Sequence, residues 1–304
     1  MRIRYRARME TESSSAPRSR MVAGDGGLLI HTLEWSHEGV PLVLLHGFGN
    51  EAHIWDDFVP VVAPYYRTLA FDLRGHGDSG HDPEQRYDYE FHVRDLEAVT
   101  AELGIDRFVL IGHSLGGRVA ALFAGAHPER LAGLVLVDSG PELDARGTTR
   151  IVLDVQKENS ASGSGGFESV AEYERLLSLA YPAARPEVLG RMARHGLRQR
   201  DDGRYVRKAD PAFHGARATI SAAEMTEREE RVTRELWEAL GGVECPALVV
   251  RGAASDVLSA DVADRMVEDS LRDGKLAVVG RASHSVMTDN PEGFAEAVAE
   301  FVLG

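Results

Sequence analysis

Six short apolar runs, at residues 42–45, 68–71, 108–111, 134–137, 247–250 and 276–279, constrain what this chain can fold into more than any other feature. Each is bounded by Gly, Pro or Asp and is too short for a helix, so each reads as a strand buried on both faces of a sheet. Helix-like stretches fill the gaps. Residues 115–126 are apolar nearly all round, and residues 291–302 begin after Asn290 as N-cap, with Pro291 in the first turn. The latter stretch places Phe294, Val298, Phe301 and Val302 on one face. Strands alternating with helices predict an α/β fold with a mostly parallel central sheet flanked by helices. Ahead of it, residues 22–35, turning at Asp25 and Gly26, predict an antiparallel hairpin.

The alternation stops between Asp138 and Val243. Residues 167–180 place Phe167, Val170, Ala171 and Leu177 at helical spacing, and residues 224–240 do the same with Val232, Leu236, Trp237 and Leu240. Thr226 and Glu229 are spaced as a capping box for the second stretch, while the Ser- and Gly-rich residues 159–166 read as a flexible loop. The expectation is an α/β core made of residues 21–138 and 243–304, interrupted by a helical cap at 139–242. A chain of 304 residues, 43% of them hydrophobic, is large enough for one such core and its insertion.

A formal net charge of −14 disfavours phosphate backbones and anionic lipid, so nucleic acid is not an expected partner. With Cys245 as the one cysteine, no intrachain disulfide and no cysteine zinc cluster can form, which suits a cytoplasmic protein. No run of apolar residues reaches membrane-spanning length, so no membrane insertion is expected. Residues 1–20 are arginine-rich without an apolar core and read as a disordered lead-in rather than a secretory signal. Oligomeric state is not legible.

Chemistry is carried first by Gly112-His113-Ser114-Leu115-Gly116, placed directly after one predicted strand and directly before a helix. A serine on so sharp a turn needs small residues two positions to either side, and its hydroxyl then projects clear of the sheet. The helix N-terminus beneath favours developing negative charge. A serine hydroxyl needs a base to accept its proton. His284 fits best, because it lies on the loop between the last strand and the terminal helix. The carboxylate that orients it has two candidates, Asp256 after the strand at 247–250 and Asp138 at the end of the strand at 134–137. Asp256 is preferred, and Asp138 is read as a loop-capping carboxylate. Two fixed N–H donors are required for a tetrahedral oxyanion. Those of Leu115 and Phe48 are the candidates, the second lying in the glycine-bearing loop His46-Gly47-Phe48-Gly49. The loop at 72–79 mixes Asp and His, yet no ligand spacing of a metal site is present, so it reads as a hydrogen-bonded rim and no metal or cofactor is expected.

With these residues in place, the chain resembles the α/β-hydrolase superfamily from about Val22 onward. The matching pieces are LVLLHGFGN (42–50), FDLRGHGDS (71–79), VLIGHSLGG (109–117), HPERLAGLVLVD (127–138), PALVVRGAASDVLS (246–259) and ASHSVMTDNPEGF (282–294). The resemblance implies Ser114 as nucleophile, His284 as base, Asp256 as acid, and Phe48 and Leu115 as oxyanion donors. It also implies a cap that shapes the substrate pocket. Branches with an aspartate nucleophile, the epoxide hydrolases and haloalkane dehalogenases, are disfavoured by Ser114, and the loop HGFGN lacks the HGGG of hormone-sensitive-lipase types. The expected activity is hydrolysis of a carboxylic ester or lactone of a small to medium apolar substrate through an acyl-enzyme. The expected pocket is lined by Gly47, Phe48, Trp55, Leu115, Leu258, Val286 and Met287. Carbon–carbon bond hydrolases and cofactor-free haloperoxidases or perhydrolases share these motifs and remain alternatives, as does a slow-turnover ligand-binding protein.

Overall fold

The computed structural model describes residues 16–163, 165–215 and 221–304. Among the described residues, eight strands form one sheet in the order β1-β2-β4-β3-β5-β6-β9-β10. They are β1 (Arg18–Ala23), β2 (Leu29–Glu34), β3 (Val40–Leu45), β4 (Tyr66–Phe71), β5 (Phe108–His113), β6 (Leu131–Val137), β9 (Ala247–Gly252) and β10 (Gly274–Val279). From β4 to β10 every pairing is parallel, while β1 and β2 are antiparallel additions at one edge. All six apolar runs lie within the parallel part. The hairpin starts earlier than its sequence suggests: Arg18 already pairs with Glu34, so residues 18–20 are strand rather than lead-in. Residues 1–15 of that lead-in lie outside the described residues.

Side-chain alternation along the parallel strands divides the core into two layers. Leu42, Leu44, Val109, Ile111, Val135, Val137, Leu248 and Val250 face one side, where they meet Trp55, Phe58, Phe294 and Val298. Val43, Leu45, Phe108, Leu110, Leu134, Leu136 and Val249 face the other and pack on Leu96, Val99, Val119 and Phe123. Leu96 and Val99 belong to α1 (Tyr89–Glu102), and Val119 and Phe123 to α2 (Leu115–Ala126). β10 departs from the expected two-sided burial, since it is an edge strand and leaves Val278 56% exposed. None of the described helices is long and apolar enough to cross a membrane.

The stretch after β6 divides in two. α3 (Ala145–Gly163), α4 (Val170–Ala180), α5 (Pro186–Gly196) and the two-stranded ribbon of β7 (Leu197–Gln199) and β8 (Tyr205–Arg207) form an insertion whose apolar residues Phe167, Tyr173, Leu177, Val188 and Met192 continue the core layer that holds Trp55 and Phe58. α6 (Ala222–Gly241) instead lies on the sheet layer: Val232, Leu236 and Leu240 pack with Val119 and Phe123 of α2. A Cβ on Gly125 would sit 2.5 Å from the Ala239 backbone, so the missing side chain permits this close crossing. Parallel β6 and β9 need a crossover helix between them, and α6 supplies it. The expected boundary at 242 therefore assigns one core helix to the cap. α6 also begins earlier than expected, with its capping box at Ser221 and Glu224 rather than Thr226 and Glu229. Residues 159–163, expected in a loop, complete α3, and Phe167 bridges to Tyr205 ahead of α4. The final helix, α7 (Pro291–Val302), starts as expected, with Asn290 Oδ1 accepting from Gly293 N at 3.0 Å.

Candidate active site

The chain turns from β5 into α2 at Ser114, whose φ of 51° and ψ of −113° are costly for a residue with a side chain. Its neighbours make the turn possible. A Cβ on Gly112 would collide with the Gly116 carbonyl, and one on Gly116 would lie 2.5 Å from Leu45 O. The strained residue is held by its own N–H, which donates to Val137 O at 3.0 Å, and by Ser139 Oγ, which donates to its carbonyl at 2.8 Å. Ser114 thus stands at the first turn of α2, beside the point where the chain has passed from β3 to β4 on one side and to β5 on the other.

His284, on the loop after β10, reaches Ser114 Oγ with Nε2 at 3.0 Å and Asp138 Oδ2 with Nδ1 at 2.8 Å. The carboxylate accepts, so Nδ1 carries the proton and Nε2 is left as an acceptor for the serine hydroxyl. Asp138 is fully buried and four contacts fix it. Its N–H donates to Val250 O at 2.7 Å, and Oδ1 accepts from Gly252 N at 3.0 Å. Oδ2 accepts from Ser255 Oγ at 2.6 Å as well as from His284.

The structure does not bring Asp256 to His284, contrary to the expectation. Two features explain this. β6 lies directly beside β9, with Val137 opposite Val250, so Asp138 emerges under the loop that follows β9. Within that loop Ser255 Oγ accepts from Val257 N and Leu258 N, each at 3.1 Å, which folds Ser255 inward and turns Asp256 outward. Asp256 is paired with Arg150 of α3 through Nε at 2.7 Å and Nη2 at 2.8 Å. That hydrogen-bonded pairing holds its carboxyl below the usual carboxylate range.

The loop after β3 approaches the serine from the other side. Gly47 has no room for a side chain: a Cβ there would be 2.6 Å from His113 Nδ1 and 3.2 Å from Ser114 Cβ. Gly116 N donates to His46 O at 3.2 Å, tying this loop to the start of α2. His46 Nδ1 donates to Gly47 O at 2.8 Å, and its Nε2 accepts from Leu73 N at 2.9 Å. Burial pushes its pKa down, in keeping with this neutral tautomer. Among the described residues, neither Phe48 N–H nor Leu115 N–H has an acceptor in the protein. Both belong to the two segments that meet at Ser114.

A narrow cleft that opens to solvent lies over Ser114 and His284. Phe48, Asn50 and His113 line it from the core; Arg150, Ile151, Asp154, Val155 and Glu158 of α3 form the opposite wall, with Tyr181 at its edge. Of the expected lining residues, the structure brings Phe48 to this cavity and places the others elsewhere. Trp55, Val286 and Met287 are buried in one core layer and Leu258 in the other, because side chains near strand ends point into the layers of the fold. Gly47 and Leu115 contribute backbone at the serine and do not line the cavity.

The family model for the alpha/beta hydrolase fold matches residues 40–291. The chain belongs to the α/β-hydrolase family. It is 27% identical over 264 residues to the 2-(acetamidomethylene)succinate hydrolase of Mesorhizobium japonicum, covering 86% of this chain and 88% of the relative. It is 29% identical over 268 residues to a pimeloyl-[acyl-carrier protein] methyl ester esterase of Aeromonas hydrophila, covering 87% of this chain and 96% of that one. A crystal structure of E-2-(acetamidomethylene)succinate hydrolase superposes with a TM-score of 0.77 at 25% identity, covering 95% of this chain and all of that one.

In this α/β hydrolase several residues at the site escape sequence reasoning. His113 occupies the variable position of the elbow motif. Its Nε2 donates to the His284 carbonyl at 3.0 Å, and burial keeps its pKa well below the ordinary histidine value. Arg150, Asp154 and Glu158 recur every fourth residue on α3, a pattern that reads as a solvated helix face until its neighbour is known. The loop at 72–79 does gather possible ligand atoms, from His31, Asp72 and Asp78. These atoms are already engaged. Asp72 accepts from Ala52 N at 2.7 Å, Asp78 N at 2.8 Å and His31 Nδ1 at 2.7 Å, and Asp78 takes Lys208 Nζ at 2.6 Å. The chemistry of this set is that of a hydrogen-bonded loop.

Proposed function

We propose that this α/β hydrolase cleaves carboxylic esters through an acyl-enzyme on Ser114, with His284 as base and Asp138 as the carboxylate that orients it. The observation that carries this reading is the continuous hydrogen-bonded chain from Asp138 through His284 to Ser114 Oγ, opening on a cavity. Oγ attacks the carbonyl carbon as its proton passes to His284 Nε2, and the imidazolium so formed is stabilised by Asp138. The tetrahedral oxyanion is received by the N–H groups of Leu115 and Phe48 and by the N-terminus of α2. Collapse of the intermediate breaks the bond to the alkoxy oxygen, which leaves with the proton from His284. Water, deprotonated by the same imidazole, then attacks the acyl carbon and releases the acid and free Ser114. Residues 139–215 serve as the cap, with α3 as its substrate-facing wall. A lactone is opened by the same steps. The name of the Aeromonas relative, a methyl ester esterase, supports the ester over the other bonds this family cleaves.

The test joins labelling to turnover. A fluorophosphonate should modify wild-type protein at Ser114 and leave Ser114→Ala untouched, and p-nitrophenyl acetate or butyrate should be turned over many times per enzyme. Absence of labelling would overturn the serine mechanism. Labelling with a single turnover would make the protein a ligand binder that retains the constellation.

A further inference from the structure

The wall facing Ser114 is charged, and its charges are unevenly committed. Arg150 is the cation among the cavity-lining residues, and Asp256 engages its Nε and Nη2 while Nη1 lies 3.7 Å from Asp154. A substrate carboxylate entering the cavity meets a guanidinium already held between two acids. Acceptors are less occupied. Glu158 is 5% exposed, and its Oε2 accepts both from Tyr173 O–H at 2.9 Å and from Arg207 Nη2 at 3.1 Å. Among the described residues no partner reaches its Oε1. Asp154, one turn earlier on the same face, shares its other contact with the exposed Lys157 at 3.1 Å. Oε1 is not sealed from solvent, so a donor on a ligand in the cavity can take the place that water holds in the free protein.

We propose that Glu158 is a specificity-determining residue of this site: its free Oε1 takes a hydrogen bond from an ammonium or hydroxyl group at the far end of the substrate, and with Asp154 it excludes substrates that end in a carboxylate. Arg150 and Glu158 stand eight positions apart, about 12 Å along the helix axis. The cavity wall thus runs from the residue paired with Asp256 to an acceptor at its far end. Sites built to hydrogen-bond a substrate group reject analogues lacking it far more strongly than apolar pockets reject a change of size. The inference rests on the ester-hydrolase reading for its turnover arm alone.

The experiment has two arms. In the first, kcat/KM is measured for p-nitrophenyl esters of 6-aminohexanoic, hexanoic and adipic acid, the last as its monoester. About 1 M salt shortens the Debye length to about 3 Å and removes steering by the acidic surface. The ammonium ester should exceed the carboxylate ester by at least about tenfold. Glu158→Gln and Asp154→Asn should each shrink that ratio, and Asp154→Asn keeps the test open if the Glu158 variant folds poorly. In the second arm, calorimetry compares binding of 6-aminohexan-1-ol, hexan-1-ol and 6-hydroxyhexanoate to the wild-type protein. The aminoalcohol should bind tightest. Equal binding, preference for the carboxylate, or no binding of the aminoalcohol at millimolar concentration would overturn the proposal, as would a ratio unchanged in both variants. If no ester is turned over while the aminoalcohol preference holds, the hydrolase reading fails and the assignment of Glu158 stands.

Discussion

Asp138 Oδ2 lies 2.8 Å from His284 Nδ1 while also accepting from Ser255 Oγ at 2.6 Å, so one oxygen ties the loops after β6, β9 and β10 together. Asparagine at position 138 keeps the shape but can place its amide N–H toward Nδ1 and cannot support an imidazolium. In a comparable triad that exchange lowers kcat by about 10⁴-fold. Asp138→Asn should therefore lose at least hundreds-fold in kcat. Asp256→Asn removes only the partner of Arg150 and should change kcat by less than about tenfold. Assaying both with one substrate, after each is shown to melt cooperatively, decides between them. A larger loss at Asp256 would contradict the assignment.

The sheet was legible because β3, β4, β5, β6 and β9 carry apolar side chains on both faces, which few other structures require. The meeting of Ser114 and His284 was legible for a related reason: each follows a recognisable strand within a short loop. The carboxylate that contacts His284 was not, since the choice depends on β6 lying beside β9 and on which of Ser255 and Asp256 turns inward. Neither is encoded in spacing. The cavity wall was hidden too, because Arg150, Asp154 and Glu158 form a pattern identical to an exposed helix face. Likewise the amphipathic stripe of α6 shows that it packs on something, without showing that its partner is α2.

Ser114 holds φ at 51°, a conformation in which glycine is at ease. Ser114→Gly should abolish turnover, with a loss of about 10⁶ in kcat, as for removal of such a nucleophile. It should also be at least as stable as the wild type, by up to about 1 kcal/mol in chemical denaturation. Ser114→Ala should be equally inactive without that gain. Retention of a tenth of the activity in either variant would rule out the serine as nucleophile.

His195 of α5 stacks on His53, their ring centres 3.5 Å apart, where the insertion meets the core. Burial, and then the neighbouring His53, push its pKa down to about 4. Above the ordinary histidine range both the folded and unfolded chains hold it neutral, so it adds no pH dependence. As pH falls through about 6.5 the unfolded chain takes up the proton first, and the folded chain resists. Stability is thus lost between about pH 6.5 and about pH 4, and the loss levels off below. His92, pushed down to about 3, and His76 and His113, both held well below the ordinary histidine value, should steepen the same slope, each through burial. Denaturation midpoints from pH 7.5 to 4.5 should fall, and less steeply in His195→Gln. An unchanged slope in that variant would show that the stack does not resist protonation.

Arg207 links three parts of the site. It lies 3.1 Å from Glu158, donates to Asn159 Oδ1 at 2.6 Å, and reaches Gly49 O, at the end of the loop after β3, at 3.3 Å. Its side chain is 4% exposed and that of Glu158 is 6%, so the pair is shielded from water. Removing one member of such a pair costs about 3–5 kcal/mol, mostly because the other charge is left buried alone. Arg207→Met should therefore destabilise the protein by about 3 kcal/mol in denaturant titration. Adding Glu158→Gln removes the orphaned charge, so the double variant should be more stable than Arg207→Met by about 1–2 kcal/mol despite carrying one more substitution. Catalysis separates the two roles of the arginine. If its contact with Gly49 steadies the loop that presents Phe48 N–H, kcat stays low in the double variant even as stability returns. Recovery of kcat together with stability would assign Arg207 to charge balance alone.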